Sequence, residues 1–368
     1  MAEDTTAASS PSAARNFLRR VVSAQESGLL LVIALMMTGL TIFGGTTQQT
    51  VIDQDTGQAL RDDDGRPVRR DVNTFLNSRN LILLANNASF IAVMAVAMTA
   101  VIVTAGIDLS VGSIYALAGI VAAEIINGMP PDSGGIVAAI GLIGVACAAG
   151  GVLGLANGAM IVGFRLHPFI ITLGTMSVYR GITLLLTKGQ TVSGLPEAIQ
   201  PGFFKADLGI GAAHPTNTII MLLVALLGWF VLRYTVFGRR VFAVGGNETA
   251  ARYAGIPVGR VTVLVYTLMG VAAGLAGAMA VGYLGAATSG AGQAYELRVI
   301  AGAVIGGASL TGGRGTAIGA VLGTIVIELI NNAMTILQID SDYLYVVTGA
   351  VIILAAVIDR AKQGLQTR

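Results

Sequence analysis

Ten apolar segments recur along the chain, and they constrain its fold more than any other feature. They comprise residues 29–43, 81–105, 111–126, 136–162, 168–187, 216–232, 261–284, 297–305, 316–336 and 343–358. A helix needs about 20 apolar residues to cross the hydrocarbon core of a bilayer, and most of the segments approach that length. Segment 297–305 is too short, which indicates a broken or tilted element running into the glycine-rich residues 306–315. We therefore predict an all-α, polytopic integral membrane protein with about ten transmembrane helices and glycine-rich breaks.

The composition excludes several other classes of protein. Only 11% of the 368 residues are charged, whereas a soluble domain carries roughly 25%. Such a chain is neither a soluble enzyme, nor a nucleic-acid-binding protein, nor a disordered scaffold. Its 49 glycines indicate helices that pack closely through small residues. The single cysteine, Cys147, excludes a disulfide framework and a cysteine metal site, and no metal site is predicted.

Basic residues predict the orientation of the chain in the membrane. They cluster before the first apolar segment, in the loop 233–260 and after the last segment. If all three clusters are cytoplasmic, as the positive-inside rule requires, six crossings precede the loop and four follow it, with both termini inside. The predicted organisation is a cytoplasmic tail (1–27), a transmembrane domain (28–360) and a cytoplasmic tail (361–368).

The most charged stretch, residues 44–79, then lies outside the membrane on the periplasmic side. Its Asp-Thr-Gly and Asp-Asp-Gly tripeptides (55–57 and 63–65) favour turns, so we expect a small hairpin. The acidic residues resemble a calcium site only faintly, because their spacing matches no known ligand loop. A solvated turn is the favoured interpretation.

The loop 233–260 contains a short helix with explicit start and stop signals. Asn247 is a good N-cap, Glu248 falls in the first turn, Gly255 fits the left-handed position after the helix, and Pro257 prevents continuation. Ala250, Ala251 and Ala254 are expected to share one small-residue face. The segment is either an ordinary capped connector or a helix that docks into a groove of a partner protein. The candidate coupling residues are Gly245, Gly246, Asn247, Glu248, Ala250, Ala251, Ala254 and Gly255.

No catalytic motif accompanies these segments. The chain lacks a phosphate-binding Gly-x-x-x-x-Gly-Lys-(Ser/Thr) loop, a nucleophile elbow and a dinucleotide fingerprint. We therefore predict a non-enzymatic protein without a cofactor of its own. If it pumps a solute, the energy comes from an ion gradient or from another subunit.

Ionisable groups inside apolar segments are costly and tend to face partners or water. Arg180 either extends its side chain to the outer surface of the membrane or pairs with an acidic residue, for which Glu124 and Glu328 are the hypothesised partners. Glu124 could instead simply reach water. Asp108 either satisfies freed amides of a helix broken at Gly106 and Gly112, with Ser110 capping the next helix, or contacts a solute. Neutral polar groups either line a pathway or hold helices together. With Asp108 and Ser110, the candidate pathway residues are Asn86, Asn87, Thr104, Thr172, Thr175, Asn331 and Asn332.

Two glycine-rich motifs have similar sequences and lie 201 residues apart in the chain. Residues 106–112 (Gly-Ile-Asp-Leu-Ser-Val-Gly) and 307–313 (Gly-Ala-Ser-Leu-Thr-Gly-Gly) share the pattern Gly-x-(Asp/Ser)-Leu-(Ser/Thr)-x-Gly. Each ends one apolar segment and begins another, as in transporters built from repeats with broken helices. The match spans seven residues, so coincidence remains an alternative.

Four blocks of sequence resemble the permeases of ribose-type ABC importers, the second carbohydrate uptake class. They are the loop motif around Phe237-Gly-Arg-Arg and Gly245-Gly-Asn-Glu, the segment 103–113, the segment 168–176 with Arg180-Gly181, and the segment 306–313 with Asn331-Asn332. The blocks stand in the family's order, and the resemblance covers roughly residues 75–360. Arg298 departs from it, because an acidic residue is more usual there, and the loop 44–79 is longer than expected.

The resemblance implies a bacterial inner-membrane subunit that translocates a monosaccharide. It implies three partners within the lipid bilayer or beside it: a cytoplasmic ATPase with two nucleotide-binding halves that carries ATP and Mg²⁺, a periplasmic sugar-binding protein, and a second permease chain in a homo- or heterodimer. Alternatives are an ABC permease for a nucleoside, a signalling furanose or a branched-chain amino acid. An ion-coupled secondary transporter and a membrane scaffold without transport are rivals from other classes.

Overall fold

A computed structural model describes residues 25–51, 59–130, 133–206, 214–340 and 342–366, and helices dominate this part of the chain. The helices are α1 Gln25–Phe43, α2 Ser78–Val103, α3 Val111–Asn127, α4 Gly135–Phe164, α5 Pro168–Thr187, α6 Thr216–Tyr234, α7 Val236–Gly246, α8 Glu248–Tyr253, α9 Val258–Leu284, α10 Tyr295–Ile305, α11 Ala317–Ile336 and α12 Tyr343–Gln366. A π-helical turn spans Gln200–Phe204, and two strands, β1 Thr46–Thr50 and β2 Arg69–Asn73, precede α2.

Each of the ten predicted apolar segments forms a helix, which confirms the predicted all-α class. Within the described residues, seven helices (α1, α2, α4, α5, α6, α9 and α11) are long and apolar enough to cross a membrane. α3 is apolar but has 17 residues, and α10 has only 11 before the glycine-rich turn. The number of crossings and the side on which the termini lie stay predictions. Most of the predicted N-terminal tail lies outside the described residues, and α12 extends into the C-terminal one.

Side-chain caps explain several of these boundaries. The Asn77 side chain accepts a hydrogen bond from the amide of Asn80 at the start of α2. The Thr316 hydroxyl accepts one from the amide of Gly319 at the start of α11. α5 begins with Pro168, whose missing amide costs nothing in the first turn.

A seam of glycines joins α4 and α9. Gly150 and Gly154 of α4 face Gly270 and Gly274 of α9 so closely that any Cβ would overlap the opposite backbone. A Cβ at Gly270, for example, would lie 2.9 Å from the Cα of Gly154 and would overlap the carbonyl oxygen of Gly150. Both helices carry the Gly-x-x-x-Gly spacing that lets membrane helices approach each other without side chains between them.

The predicted hairpin is present and is attached firmly to the bundle. β1 and β2 pair antiparallel, with Thr46 opposite Asn73. The Asn73 amide donates to the carbonyl oxygen of Thr41 at 2.8 Å, and Phe75 is fully buried in a cluster with Leu40 and Leu329. The first tripeptide, residues 55–57, lies outside the described residues.

The second tripeptide lies in a tight turn that the side chains of Arg61 and Asp62 stabilise. The Asp62 carboxylate accepts the amides of Asp64 and Arg66, and Arg61 donates to the carbonyl oxygen of Gly65. The Asp62 carboxylate therefore stabilises the turn. The described residues contain no group of three or more His, Cys, Asp or Glu side chains that could hold a metal ion.

The bundle has a hairpin end and a coupling end. The hairpin end holds β1 and β2 between α1 and α2. The coupling end holds α7 and α8, and the last residue of α2, Val103, packs there against Gly245. α9 leads away from the coupling end, so Leu284 and the segment 285–294 after it lie toward the hairpin end.

Candidate functional site

The connection between α2 and α3 is a buried helix break. After α2, Ala105 adopts a left-handed conformation (φ 59°), and the amide of Gly106 donates back to the carbonyl oxygen of Val101. The chain then turns inside the bundle, where Asp108 and Ser110 are fully buried. The Asp108 Oδ1 accepts both the amide of Ser110 (2.9 Å) and its hydroxyl (2.6 Å).

Side chains of three other helices hold this break in place. Asn157 of α4 donates to the Ser110 hydroxyl oxygen at 2.8 Å, and the Tyr179 hydroxyl of α5 lies 3.1 Å from the Oδ1 of Asn157. Tyr266 of α9 donates to the carbonyl oxygen of Ile107 at 3.2 Å. The break is therefore a fixed junction among α4, α5 and α9.

Sequence reasoning identified only two of the five side chains in this polar cluster. It singled out Asp108 and Ser110 but missed Asn157, Tyr179 and Tyr266. Asn157 did carry a signal, because it is the only amide side chain in α4, which has no charged residue, and strongly polar groups in membrane helices have partners. Tyr179 and Tyr266 carried none, because their hydroxyls are indistinguishable in sequence from those of tyrosines elsewhere.

The Asp108 carboxylate accepts a freed amide, as the structural interpretation predicts, and its contact with a solute stays a prediction. The predicted capping role of Ser110 is wrong, and its role in the pathway stays a prediction. Ser110 occupies the N-cap position of α3 but makes no side-chain cap bond, because its hydroxyl is engaged by Asp108 and Asn157. The second carboxylate oxygen of Asp108 is buried without a hydrogen-bond partner in the described part of the chain.

The other candidate pathway residues do not converge on one surface. The Asn86 amide donates to the carbonyl oxygen of His214, and Asn332 exchanges hydrogen bonds with Asn80 of α2. Asn331 donates to Glu328 at 3.3 Å, while Asn87 is exposed. Asn332 thus joins α11 to α2, and Asn86 joins α2 to the segment before α6, whereas the Asn331 bond lies within α11. A role in the pathway stays a prediction.

The threonine candidates bond to backbone carbonyls. Thr172 lies 3.3 Å from the carbonyl oxygen of Ile107 in the break. Thr104 and Thr175 donate to carbonyl oxygens three residues earlier in the chain. Only Thr172 therefore joins two different elements.

The predicted pairing of Arg180 with Glu124 or Glu328 is wrong. The Arg180 guanidinium donates to the carbonyl oxygens of Ser289 (2.9 Å) and Ala291 (2.8 Å). Glu328 lies 3.8 Å from Arg298 instead, and Glu124 is exposed. Sequence separation gave no means of choosing these partners, since Arg180 bonds to backbone atoms that every residue carries.

Arg180 holds the segment 285–294, which turns back into the bundle. The amide of each of Ala287 and Val192 donates to the carbonyl oxygen of the other, and Val192 lies in the loop after α5. The Ser289 hydroxyl donates to the carbonyl oxygen of Gly189 in the same loop. Further along, Gly292 packs against Gly112 at the start of α3. The segment thus links the hairpin end of the bundle to the buried break.

Replacing Arg180 by glutamine is expected to loosen this segment and, in the permease that the sequence motifs imply, to lower solute uptake about tenfold. A hydrogen bond to a charged group contributes about 1.5–3 kcal/mol, and two would be lost. The measurement is labelling of Gln293→Cys by a membrane-impermeant maleimide in a Cys147→Ala background, with uptake measured in parallel. Arg79→Gln, a change at an exposed arginine, is the control. Unchanged labelling in Arg180→Gln would contradict the holding role.

At the coupling end, the short helix α8 has the predicted caps. The Asn247 side chain accepts the amide of Ala250 at 2.9 Å. Gly255 is left-handed (φ 79°), and the amides of Gly255 and Ile256 return to the carbonyl oxygens of Arg252 and Ala251. These two bonds define a Schellman motif.

The predicted small-residue face of α8 needs one correction. Ala250 and Ala254 are exposed, but Ala251 is buried, with 4% of its surface accessible. Ala251 packs against the bundle, so the outward face includes Ala250, Ala254 and Tyr253, beside the exposed ion pair of Glu248 with Arg252. Tyr253, which sequence reasoning did not single out, is 89% exposed, and a bare aromatic side chain is typical of a contact surface.

Gly245 connects the segment that contains α7 and α8 to both glycine-rich motifs, residues 106–112 and 307–313. Gly245 packs directly on the carbonyl oxygen of Val103, at the end of α2. The same carbonyl oxygen accepts a hydrogen bond from the amide of Gly313, in the second motif, at 2.8 Å. The helix break that follows Val103 contains the first motif, residues 106–112. The segment that contains α7 and α8 therefore contacts both glycine-rich turns through the carbonyl group of Val103.

Membrane-length helices around a buried break, with a capped helix exposed at one end, define a polytopic membrane protein with the features of a permease. The chain matches the family described as branched-chain amino acid transport system/permease component over residues 80–356, and it belongs to this family. The hairpin precedes the matched region.

The relatives are import permeases for sugars. The chain is 40% identical to the ribose import permease protein RbsC of Escherichia coli K12 over 291 residues, covering 78% of this chain and 88% of the relative. It is 41% identical to that of Bacillus subtilis over 290 residues, covering 78% and 87%. It is 39% identical to the D-allose transport system permease protein of E. coli K12 over 287 residues, covering 78% and 85%. No solved structure matches the chain.

Proposed function

We propose that the chain is the membrane subunit of an ATP-driven importer and translocates a monosaccharide across the bacterial inner membrane. The observation that carries this proposal is the exposed, capped helix α8, which is joined through Gly245 to the buried helix break. The similarity to ribose, allose and galactose permeases supports a sugar as the solute.

The partners follow from the same reasoning. A cytoplasmic ATPase with two nucleotide-binding halves would bind ATP and Mg²⁺ and receive α8 in a groove. A periplasmic sugar-binding protein would deliver the solute at the hairpin end, and a second permease chain would complete the pore. This chain performs no chemistry on the sugar.

Movement of α8 would reach the membrane helices through backbone contacts. Because Gly245 has no side chain, a displacement of α7 and α8 is passed directly to the carbonyl group of Val103 and the turn at Gly313. Both turns precede helices, α3 and α11, so their ends would shift together. The nucleotide state of the ATPase would thereby bias the bundle toward one opening or the other.

The ion-coupled alternative is not favoured by the positions of the buried carboxylates. Such a transporter needs a carboxylate that faces an aqueous cavity. Asp108 is enclosed by the break, and Glu328 lies beside Arg298 with 4% of its side chain exposed. Neither presents a free face to solvent in this conformation.

Replacing Ala250 by glutamate is expected to abolish co-purification of the ATPase and to lower sugar uptake at least tenfold. Glutamate at the third helical position suits an N-capped helix, so α8 should keep its fold while its contact face becomes charged and bulky. The measurement is mass spectrometry of the complex extracted from native membranes, together with radiolabelled ribose uptake.

Arg66→Glu, a charge change in the hairpin at the opposite end, serves as the control and should retain the ATPase. An ATPase that co-purifies equally with Ala250→Glu would contradict the docking role of α8. Uptake that survives ATP depletion but vanishes with an ionophore would instead support ion coupling.

A further inference from the structure

A groove lies at the coupling end, apart from the helix break and from the exposed face of α8. It has a volume of about 450 Å³ and lies where the start of α1, the end of α6, the helix α7 and the start of α11 meet. The residues that matter for its chemistry are Glu26, Trp229, Arg233, Arg239 and Thr316. Ligand sites typically have volumes of roughly 300–1,000 Å³.

The depth of the groove places it at the boundary between membrane and water. Three membrane-length helices, α1, α6 and α11, have one end there. Trp229, which lines the groove together with Phe242, packs edge to face against Tyr234 with ring centroids 5.1 Å apart. Tryptophan and tyrosine concentrate at this level in membrane proteins.

Two cationic side chains of the groove have no carboxylate partner. Within the described residues, neither Arg233 nor Arg239 forms a salt bridge. Arg239 lies 3.4 Å from the carbonyl oxygen of Tyr234, and the Arg233 guanidinium lies 5.9 Å from the Tyr234 ring centroid. The one carboxylate in the groove, Glu26, accepts a hydrogen bond from Thr316 at 3.1 Å. The groove therefore carries a net positive charge that suits an anionic ligand.

An apolar surface continues from the groove along α6. Leu226 and Phe230 share a helical face with Trp229 and Arg233, because their spacings are three, four and seven residues. Both apolar side chains are more than half exposed. A ligand with an anionic head and a long apolar tail would match this sequence of charge and hydrocarbon.

We infer that this groove binds an anionic phospholipid, whose phosphodiester headgroup lies between Arg233 and Arg239 and whose acyl chain follows the apolar face of α6. The N-terminal tail is a poorer occupant, because the residues nearest α1 include Arg15, Arg19 and Arg20, which the two arginines would repel. The inference does not depend on the solute or on transport.

Such a lipid would connect the membrane to the coupling segment. Arg239 belongs to α7, which leads through Gly246 and Asn247 into α8. A headgroup held by Arg233 and Arg239 would bridge α6 and α7 beside the groove wall formed by α11. Its presence would favour one position of α7 and therefore of α8.

The protein carries its own reporter for this site, because Trp229 is the only tryptophan in the chain. The full-length protein is reconstituted in phosphatidylcholine vesicles that contain increasing fractions of phosphatidylglycerol, with one lipid or the other brominated on its acyl chains. Bromine quenches the fluorescence of Trp229 only when that lipid lies against it. The relative quenching gives the preference for each headgroup.

We expect brominated phosphatidylglycerol to quench more strongly, with a preference of about fivefold for each arginine. The double variant Arg233→Gln/Arg239→Gln should reduce the preference to near one, whereas Arg240→Gln, an exposed neighbour that does not line the groove, should leave it unchanged. Equal quenching by the two brominated lipids, or a preference that survives in the double variant, would overturn the inference. Failure of both lipids to quench would mean that protein fills the groove, which would overturn it as well.

Discussion

Replacing Gly270 by leucine is expected to eliminate almost all folded protein from the membrane. A Cβ at this position overlaps the carbonyl oxygen of Gly150 and lies 2.9 Å from the Cα of Gly154, so the seam between α4 and α9 cannot close around a side chain. Overpacking of a rigid core costs about 1–3 kcal/mol for a small excess, and leucine adds four carbons where one cannot fit. The yield of monodisperse protein in mild detergent and its thermal unfolding measure the effect.

Gly144→Leu is the matched control for this change. Gly144 lies on the same helix, α4, but a Cβ there meets nothing within 4 Å, and leucine favours helix more than glycine does. This variant should therefore accumulate normally. Equal yields of the two variants would show that the seam tolerates side chains and would contradict the packing argument.

The replacement of Gly245 by alanine should abolish uptake although it adds a single methyl group. The methyl group would overlap the carbonyl oxygen of Val103 and lie 2.8 Å from the amide nitrogen of Gly313. It would force α7 away from the one backbone group that joins both glycine-rich turns. We expect at least a tenfold loss of sugar uptake, corrected for the amount of protein in the membrane by immunoblot.

Gly246→Ala separates this effect from a general sensitivity of the segment. Gly246 is the next residue in α7, and a Cβ there meets nothing within 4 Å, so uptake should remain near the wild-type level. Normal uptake by Gly245→Ala would contradict the proposed connection. Equal losses in both variants would show that the conformation of the segment matters, rather than its contact with Val103.

Local signals predicted the local structure well. The ten apolar segments became helices, and the caps at Asn247 and Gly255 lie where the sequence indicated. The hairpin before α2 also formed. These features depend on hydrophobicity, on short-range side-chain bonds and on the freedom of glycine to adopt a positive φ, all of which operate within a few residues.

The faces of short helices were harder to predict. The alanines of α8 share a spacing that suits one face, yet Ala251 turns inward while Ala250 and Ala254 face solvent. In a helix of six residues, small apolar side chains on both faces leave the orientation undecided. Packing of α8 against its neighbours makes that choice.

By itself, the sequence determined the membrane class, the extent of its helices and the caps of the coupling segment, because hydrophobic length and capping chemistry act along the chain. Only the tertiary structure decided the partners of Arg180, the pairing of Glu328 with Arg298 and the enclosure of Asp108 by Asn157. The physical reason is that a buried polar group needs some partner but does not specify which one. Packing of helices distant in sequence selects the donor or acceptor that comes within reach.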